Sequence, residues 1–160
     1  MAKKDTSENF TIRPATIDEV PRIVALLADD VLGREREQYR LPLPQPYYDA
    51  FAEIDTDPNH ELMVMVEDGH TVVGTLQLSF LPYLTYQGGI RAQIEQVRIH
   101  SEFRGLGLGH RFFTWAIERA KERGAHLLQL TTDKKRPEAL KFYEQLGFRA
   151  SHEGMKLNLS

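Results

Sequence analysis

The sequence predicts a mixed α/β (α+β) fold, in which helices flank one central sheet. Short runs of apolar or alternating residues, typical of strands, occur near the start, in the middle and near the end of the chain. Between them lie stretches with apolar residues at helical spacing. The chain has 160 residues, of which 41% are hydrophobic and 27% are charged, and these values suit one domain with one core.

The first part of the chain is predicted to contain a strand followed by two helices. We expect a flexible polar tail over residues 1–9 and a single domain over residues 10–160. Residues 10–13 alternate between apolar and polar side chains, as a short strand does. A first helix opens at Asp18, and residues 33–46, with three prolines, form a loop. The aromatic residues after that loop indicate a second helix, which stops near Pro58.

The middle of the chain is predicted to contain three strands, and the rest to alternate between helices and strands. Two apolar runs, 62–66 and 72–80, are joined by a glycine-containing turn, and a third strand covers 90–99. A long helix, a short strand, a helix that opens at Pro137 and a closing strand follow. The closing strand is predicted from the alternation of Met155, Leu157 and Leu159. The order is βααβββαβαβ.

Composition excludes several classes of function. A net charge of −3 and a pI near 6.1 disfavour nucleic-acid binding, and no apolar stretch reaches the roughly 20 residues needed to span a membrane. There is no cysteine, which excludes disulfides and an acetyl-cysteine intermediate and fits a cytoplasmic protein. The six histidines lack metal-ligand spacing, so we predict no metal site.

The segment 104–109, Arg-Gly-Leu-Gly-Leu-Gly, lies between a predicted strand and a predicted helix. Three glycines leave the backbone amides bare where the helix dipole favours negative charge, so a phosphate group is the expected ligand. A flexible turn with glycines for steric reasons explains the segment equally well. The spacing does not match a P-loop, and the third glycine is one residue too early for a dinucleotide-binding fold.

Three segments together resemble the GNAT family of N-acetyltransferases. Residues 104–109 are similar to its Arg/Gln-x-x-Gly-x-Gly/Ala signature, and residues 94–99 look like its fourth strand. Residues 139–148, Ala-Leu-Lys-Phe-Tyr-Glu-Gln-Leu-Gly-Phe, look like its closing motif. The resemblance covers about residues 10–159. It implies a mostly antiparallel sheet that splays between strands 4 and 5, where acetyl-CoA binds.

The resemblance also implies which residues hold acetyl-CoA. The backbone of the fourth strand would pair with the pantetheine arm, although these residues are equally suited to a core: Val97, Arg98 and Ile99. The amides of the glycine segment would hold the pyrophosphate: Arg104, Gly105, Leu106, Gly107, Leu108, Gly109 and His110. Where the family often has Asn, this chain has Arg136. Arg136 or Lys135 would approach a CoA phosphate, Arg136 would bind an acidic part of the acceptor, or it is an exposed cation at the helix start.

Two residues are candidates for proton transfer. Tyr143 would protonate the departing CoA thiolate, a role that the closing motif implies, or it is a core tyrosine beside Phe142. Glu95 would take the proton from the acceptor's ammonium group, or it is a rim carboxylate paired with Arg91 or Arg98. A period of two predicts that Glu95 shares a strand face with Val97 and Ile99.

The function predicted from this resemblance is transfer of acetyl from acetyl-CoA directly to a primary amine of a small molecule or of a lysine side chain. A ternary complex is expected because no cysteine is available to carry the acetyl group. Five tyrosines precede or follow the predicted strands and would line the acceptor site: Tyr39, Tyr47, Tyr48, Tyr83 and Tyr86. Amino-sugar or aminoglycoside acetylation is an alternative, as is a non-catalytic acetyl-CoA-binding module. The resemblance also allows a homodimer.

Overall fold

The structure is a computed structural model and describes residues 9–160; residues 1–8 of the predicted tail lie outside the described residues. Its strands are β1 (Phe10–Pro14), β2 (His60–Glu67), β3 (Thr71–Pro82), β4 (Ile90–Ile99) and β5 (Leu127–Gln129). Its helices are α1 (Val20–Ala28), α2 (Val31–Arg36), α3 (Gln45–Thr56), α4 (Thr85–Gly88), α5 (Leu108–Glu122) and α6 (Pro137–Gln145). Single 3-10 turns cover Ile17–Glu19 and Ser101–Phe103.

The sheet has the strand order β1-β2-β3-β4-β5, which confirms the predicted mixed fold. The first four strands are antiparallel to their neighbours, and β5 is parallel to β4. The pairing of β4 with β5 is restricted to Arg91–Gln93 of β4 and Leu127–Gln129 of β5. Among the described residues, no strand pairs with this edge of β4 beyond Gln93. The sheet therefore opens between strands 4 and 5, as predicted.

The two faces of the sheet bury different sets of apolar residues. One face packs on α5, where Phe112 and Ala116 are fully buried. The other face packs on α1 and α3, around Ile23, Val24 and Phe51. The helices α1 and α3 cover mainly β1, β2 and the first part of β3. Polar residues of β4, among them Glu95, Gln96 and Arg98, line the cleft described below.

Two predicted elements differ from the structure. Part of the predicted loop forms α2, because the Asp30 carboxylate accepts a hydrogen bond from the Gly33 amide and so caps a short helix. The predicted closing strand is wrong: residues 150–160 have no strand structure, and Met155, Leu157 and Leu159 are 93%, 84% and 91% exposed. Alternation creates a strand only when another strand edge pairs with it, and no described strand pairs with this segment.

A charged cluster joins β2 to α5. The Glu61 carboxylate accepts hydrogen bonds from Arg119 Nη2 at 2.6 Å and from Arg123 Nη1 at 2.8 Å. Burial opposes ionisation of Glu61, but the two guanidinium groups lower its pKa overall. The carboxylate therefore stabilises the fold when it is ionised.

We predict that Glu61→Gln lowers the free energy of unfolding by about 1–3 kcal/mol at pH 7, because charged hydrogen bonds are lost. Since the folded pKa is below the unfolded value of about 4.3, this stabilisation is present above that pH and is lost as the pH falls through the folded pKa. Urea unfolding at pH 7 and at pH 3 measures both effects. An equal difference between wild type and variant at the two pH values would contradict the prediction.

Candidate acetyl-transfer site

A cleft of about 2010 Å³ opens where β4 and β5 separate. Its walls come from β4, β5, α6 and the helices at the start of the chain. It brings together five of the residues that the sequence predicts for the site: Glu95, Val97, Arg98, Arg136 and Tyr143. These residues come from two segments that lie about 40 positions apart in the sequence, so only the fold places them together.

A bulge in β4 decides which side chains face the cleft. Gln96 has a φ of +59°, and the pairing of β4 with β3 shifts in register between Thr75 and Gln77. Val97 and Ile99 consequently pack against the α5 side of the sheet, while Glu95 lies on the other face beside Gln93. The prediction that Glu95 shares a face with Val97 and Ile99 is therefore wrong, because the bulge interrupts the period of two.

The glycine segment forms a tight loop at the start of α5. Gly105 and Gly107 have φ values of +79° and +77°, and a Cβ at either position would have no heavy atom within 4 Å. The first helical hydrogen bond runs from the Arg111 amide to the Gly107 carbonyl, so the amides of residues 108–110 have no acceptor within the helix. Open space, bare amides and the helix dipole fit a phosphate group.

The side chains around this loop connect it to the cleft. Arg104 Nε donates a hydrogen bond to the Ile99 carbonyl at 3.2 Å, which ties the loop entrance to the end of β4. A Cβ on Gly109 would lie 3.7 Å from Phe142 Cζ, so α6 packs closely on the first turn of α5. The helix that carries Tyr143 is thereby positioned against the loop.

Tyr143 lies on α6 in an aromatic cluster at the edge of the cleft. Its ring centroid is 5.4 Å from that of Phe113 and 6.2 Å from that of Phe148. Burial raises the pKa of the phenol above its ordinary value, and the positive charges of Arg98 and Arg136 partly oppose that shift. The phenol is therefore protonated at neutral pH, as a proton donor must be, and two cations favour its ionised form after donation.

Glu95 is held by amide side chains from two strands. Gln93 Nε2 donates to Glu95 Oε1 at 2.5 Å, and Gln129 Nε2 donates to Gln93 Oε1 at 2.8 Å. This chain of hydrogen bonds crosses from β5 to β4 at the point where the strands separate. Gln93 and Gln129 were not predicted from the sequence. Their only sequence signal is that Gln93 and Glu95 are two residues apart on a strand.

A cluster of charges lies within electrostatic reach of Tyr143. The Asp30 carboxylate accepts a hydrogen bond from Arg136 Nη2, and the same oxygen lies 3.5 Å from Arg98 Nη2. Burial opposes ionisation of Asp30, but the Gly33 amide and both arginines lower its pKa overall. Asp30 was not predicted as part of this cluster, since nothing in the sequence links it to residues 68 and 106 positions away.

Other predicted residues occupy less central positions. The Lys135 side chain is exposed and is not part of the cleft wall. Of the five tyrosines, Tyr47, Tyr83 and Tyr86 line the cleft. Tyr48 does not line it and, like Tyr47, packs against the core that α1 and α3 form, while Tyr39 is exposed. Within residues 9–160, no group of three or more His, Asp or Glu side chains is arranged to hold a metal ion.

Comparison with known proteins places this site in a family. The model of the Acetyltransferase (GNAT) family matches residues 28–148, a range that includes Glu95, the glycine segment and Tyr143. The chain belongs to the GNAT acetyltransferase family. The predicted fold, family and N-acetyltransferase activity are thereby confirmed.

The names of individual relatives refer to N-acetyltransferase activities and, in one case, to transcriptional regulation. An aminoalkylphosphonate N-acetyltransferase of Salmonella typhimurium is 29% identical over 150 residues, 94% of this chain and 92% of that protein. A glucosamine 6-phosphate N-acetyltransferase of Trypanosoma brucei brucei is 34% identical over 88 residues, 55% of this chain and 58% of that protein. A solved structure named as a transcriptional regulator from Bacillus halodurans C-125 is 60% identical, with a TM-score of 0.91 over 94% of this chain and 99% of that chain.

Across residues 9–160, no helix of the acetyltransferase combines the length and apolar character that crossing a membrane requires.

Proposed function

We propose that this acetyltransferase moves an acetyl group from acetyl-CoA directly to the primary amine of a small molecule. The observation that carries the proposal is that a carboxylate, Glu95, and a protonated phenol, Tyr143, line one cleft at the open edge of β4. A carboxylate can accept the proton that the amine must lose, and a phenol can supply the proton that the leaving thiolate needs.

The donor is proposed to bind along β4 and at the start of α5. The loop amides between Arg104 and His110 suit the pyrophosphate, because Gly105 and Gly107 leave space above the backbone. The backbone of residues 97–99 lies on the part of β4 that has no described β5 partner, and it is suited to pair with the amide groups of the pantetheine arm. Acetyl-CoA supplies the activated acetyl group.

Glu95 and Tyr143 transfer protons at two successive steps of the reaction. The Glu95 carboxylate, oriented by Gln93, removes a proton from the ammonium group directly or through a water molecule, which frees the nitrogen lone pair for attack. As the carbon–sulfur bond breaks, the Tyr143 hydroxyl donates its proton to the sulfur. The positive charges of Arg98 and Arg136 stabilise the resulting phenolate.

The acceptor is proposed to be a small molecule rather than a protein. Two curated relatives are named for small amines, an aminoalkylphosphonate and an amino-sugar phosphate. A lysine side chain and an aminoglycoside remain alternative acceptors. We further propose that residues 10–160 act as one domain, that the reaction takes place in the cytoplasm and that a homodimer is the assembled form.

Release of free CoA thiol in the presence of acetyl-CoA and a panel of amines tests the proposal. The panel contains aminoalkylphosphonates, glucosamine 6-phosphate, an aminoglycoside and a lysine peptide. We expect thiol release above background with at least one small amine and formation of the N-acetyl product by mass spectrometry. Tight acetyl-CoA binding without release for any amine would instead favour a regulatory module, in line with the name of the Bacillus halodurans protein.

The proposed base leads to a pH-dependent prediction. We expect Glu95→Gln to lower kcat about 100-fold at pH 7, because positioned bases contribute about 10²–10⁴-fold. The deficit becomes smaller as the pH approaches the pKa of the amine, since more of the acceptor is then already deprotonated. Initial rates from pH 6 to pH 10 measure this convergence.

Glu144→Gln is the matched control, because Glu144 is an exposed carboxylate that lines the same cleft. It is expected to keep the wild-type rate. A deficit in Glu95→Gln that stays constant over the whole pH range would exclude Glu95 as the base.

A further inference from the structure

The cleft has the opposite sign of charge from the protein as a whole. Among the described residues that line it, eight are Lys or Arg and five are Asp or Glu, whereas the whole chain has a net charge of −3. The loop that is proposed to hold the pyrophosphate, residues 104–110, does not contribute to this count. The excess of positive charge therefore lies elsewhere in the site and attracts a second anion.

Part of this excess lies around Arg98. This side chain is only 17% exposed, and its Nε is buried with no hydrogen-bond partner among residues 9–160. Its Nη1 donates to the Val97 carbonyl at 2.8 Å, and its Nη2 shares the Asp30 carboxylate with Arg136. Two guanidinium groups thus face one carboxylate. Arg36, which is close enough to influence Arg98, is already paired with Glu37 at 2.6 Å.

The negative groups of the protein do not fully compensate the positive charge of Arg98. Burial lowers the pKa of Arg98, Asp30 opposes this shift, and the charges of Arg136 and Arg36 add to it. A guanidinium group stays charged in proteins, so Arg98 cannot escape the cost of burial or the repulsion from the other two arginines by losing its proton. An anion that binds beside Arg98 and Arg136 would compensate their positive charges.

The donor does not supply that anion. Arg98 and Arg136 are close enough to Tyr143 for their charges to shift the pKa of its phenol, so they lie near the proposed point of acetyl transfer. The phosphates of CoA are separated from its thioester by the pantetheine arm, which has no charge. A negative group at Arg98 must therefore come from the acceptor.

We propose that Arg98 and Arg136 bind a phosphonate or phosphate group of the acceptor, separated from its reacting amine by only a few bonds. This inference rests on the proposed function and specifies its substrate class. A phosphorus oxyanion offers three oxygens, so it can accept hydrogen bonds from both guanidinium groups while Asp30 keeps them in place. The short separation follows because both arginines lie near Tyr143.

Three acceptors of matched length test the charge requirement: 2-aminoethylphosphonate, β-alanine and n-propylamine. For the wild-type protein we expect kcat/KM to fall in that order, with about a 10- to 100-fold difference between the first and the last, as charged hydrogen bonds imply. Equal values for 2-aminoethylphosphonate and n-propylamine would overturn the inference and leave the proposed function intact. No transfer to any amine would overturn the proposed function, and this inference with it.

Variants then locate the binding residues. Arg98→Gln is expected to raise KM for 2-aminoethylphosphonate about 10- to 100-fold, with little change in KM for acetyl-CoA. The rate with n-propylamine falls only by the share that Arg98 contributes to stabilising the Tyr143 phenolate, a loss that all three acceptors have in common. Arg98→Lys retains the charge and is expected to recover part of the affinity. Lys134→Gln is the control, because it removes an exposed cation from the same cleft and should leave all three constants unchanged.

A binding measurement provides a readout that does not depend on turnover and also covers a poorly folding variant. Titration calorimetry with 2-aminoethylphosphonate is expected to show binding to wild type and to Lys134→Gln, and weaker binding to Arg98→Lys. If Arg98→Gln does not fold, the comparison of wild type with Arg98→Lys decides. An increase in KM for acetyl-CoA alone in the Arg98 variants would show that these residues bind the donor, and would overturn the inference.

Discussion

Replacing Tyr143 by Phe is expected to lower kcat about 100- to 1,000-fold while KM for acetyl-CoA changes little, because positioned acids contribute about 10²–10⁴-fold. The ring of Phe would keep the contacts with Phe113 and Phe148, so the aromatic cluster should remain packed. Only the hydroxyl is removed. Steady-state thiol release with a saturating acceptor measures the effect.

The pH dependence adds a second test of the same residue. Because burial raises the pKa of Tyr143 above its ordinary value of about 10, the wild-type phenol stays protonated through pH 9, and kcat should not decline on this account below that pH. Tyr48→Phe is the control, since Tyr48 packs in the core between the sheet and the helices and does not line the cleft. A Tyr143→Phe protein with the wild-type kcat would exclude Tyr143 as the acid.

Replacing Gly107 by Val is expected to raise KM for acetyl-CoA about 10- to 100-fold, as the loss of charge-assisted hydrogen bonds implies. Gly107 has a φ of +77° at the residue that caps α5. A side chain in that conformation costs about 1–2 kcal/mol or more, so the loop would change shape to relieve it. The amides that are proposed to hold the pyrophosphate would then no longer converge.

The chain offers a control with the same backbone strain. Gly69 has a φ of +81° in the turn between β2 and β3, and it also has open space around a Cβ. Gly69→Val should therefore lose similar stability without a change in KM for acetyl-CoA. Calorimetric titration with CoA and urea unfolding separate the two effects. Similar KM values for the two variants would contradict a role of Gly107 in binding the donor.

The segments with strong local signals could be predicted from the sequence. The strands that contain continuous apolar runs, the turn at Asp68 and Gly69, and the helices that open at Pro137 and after the glycine segment all occur in the structure. These signals are local, because glycine favours a positive φ and proline favours the first turn of a helix. Met155, Leu157 and Leu159 show the limit, because their alternation needs a pairing strand that the described residues do not contain.

The residues of the site also fall into two groups, those that could be predicted from the sequence and those that could not. The glycine segment, Glu95 and Tyr143 could be selected from the sequence because each is part of a motif with fixed spacing. The face of β4 that Glu95 occupies could not, because the bulge at Gln96 depends on how β4 pairs with β3. The cluster of Asp30, Arg98 and Arg136 could not be predicted from the sequence either, since its contacts join residues up to 106 positions apart.

The sequence by itself therefore predicted the family, which the comparisons confirm, and supplied the proposed donor and the two proposed proton-transfer residues. These conclusions rest on residues close together in the chain, whose spacing is itself the signal. Only the tertiary structure decided which side chains line one cleft, and that Arg98 and Arg136 share the Asp30 carboxylate within electrostatic reach of Tyr143. The physical reason is that charge and burial depend on distances in space, which strand register and helix packing set.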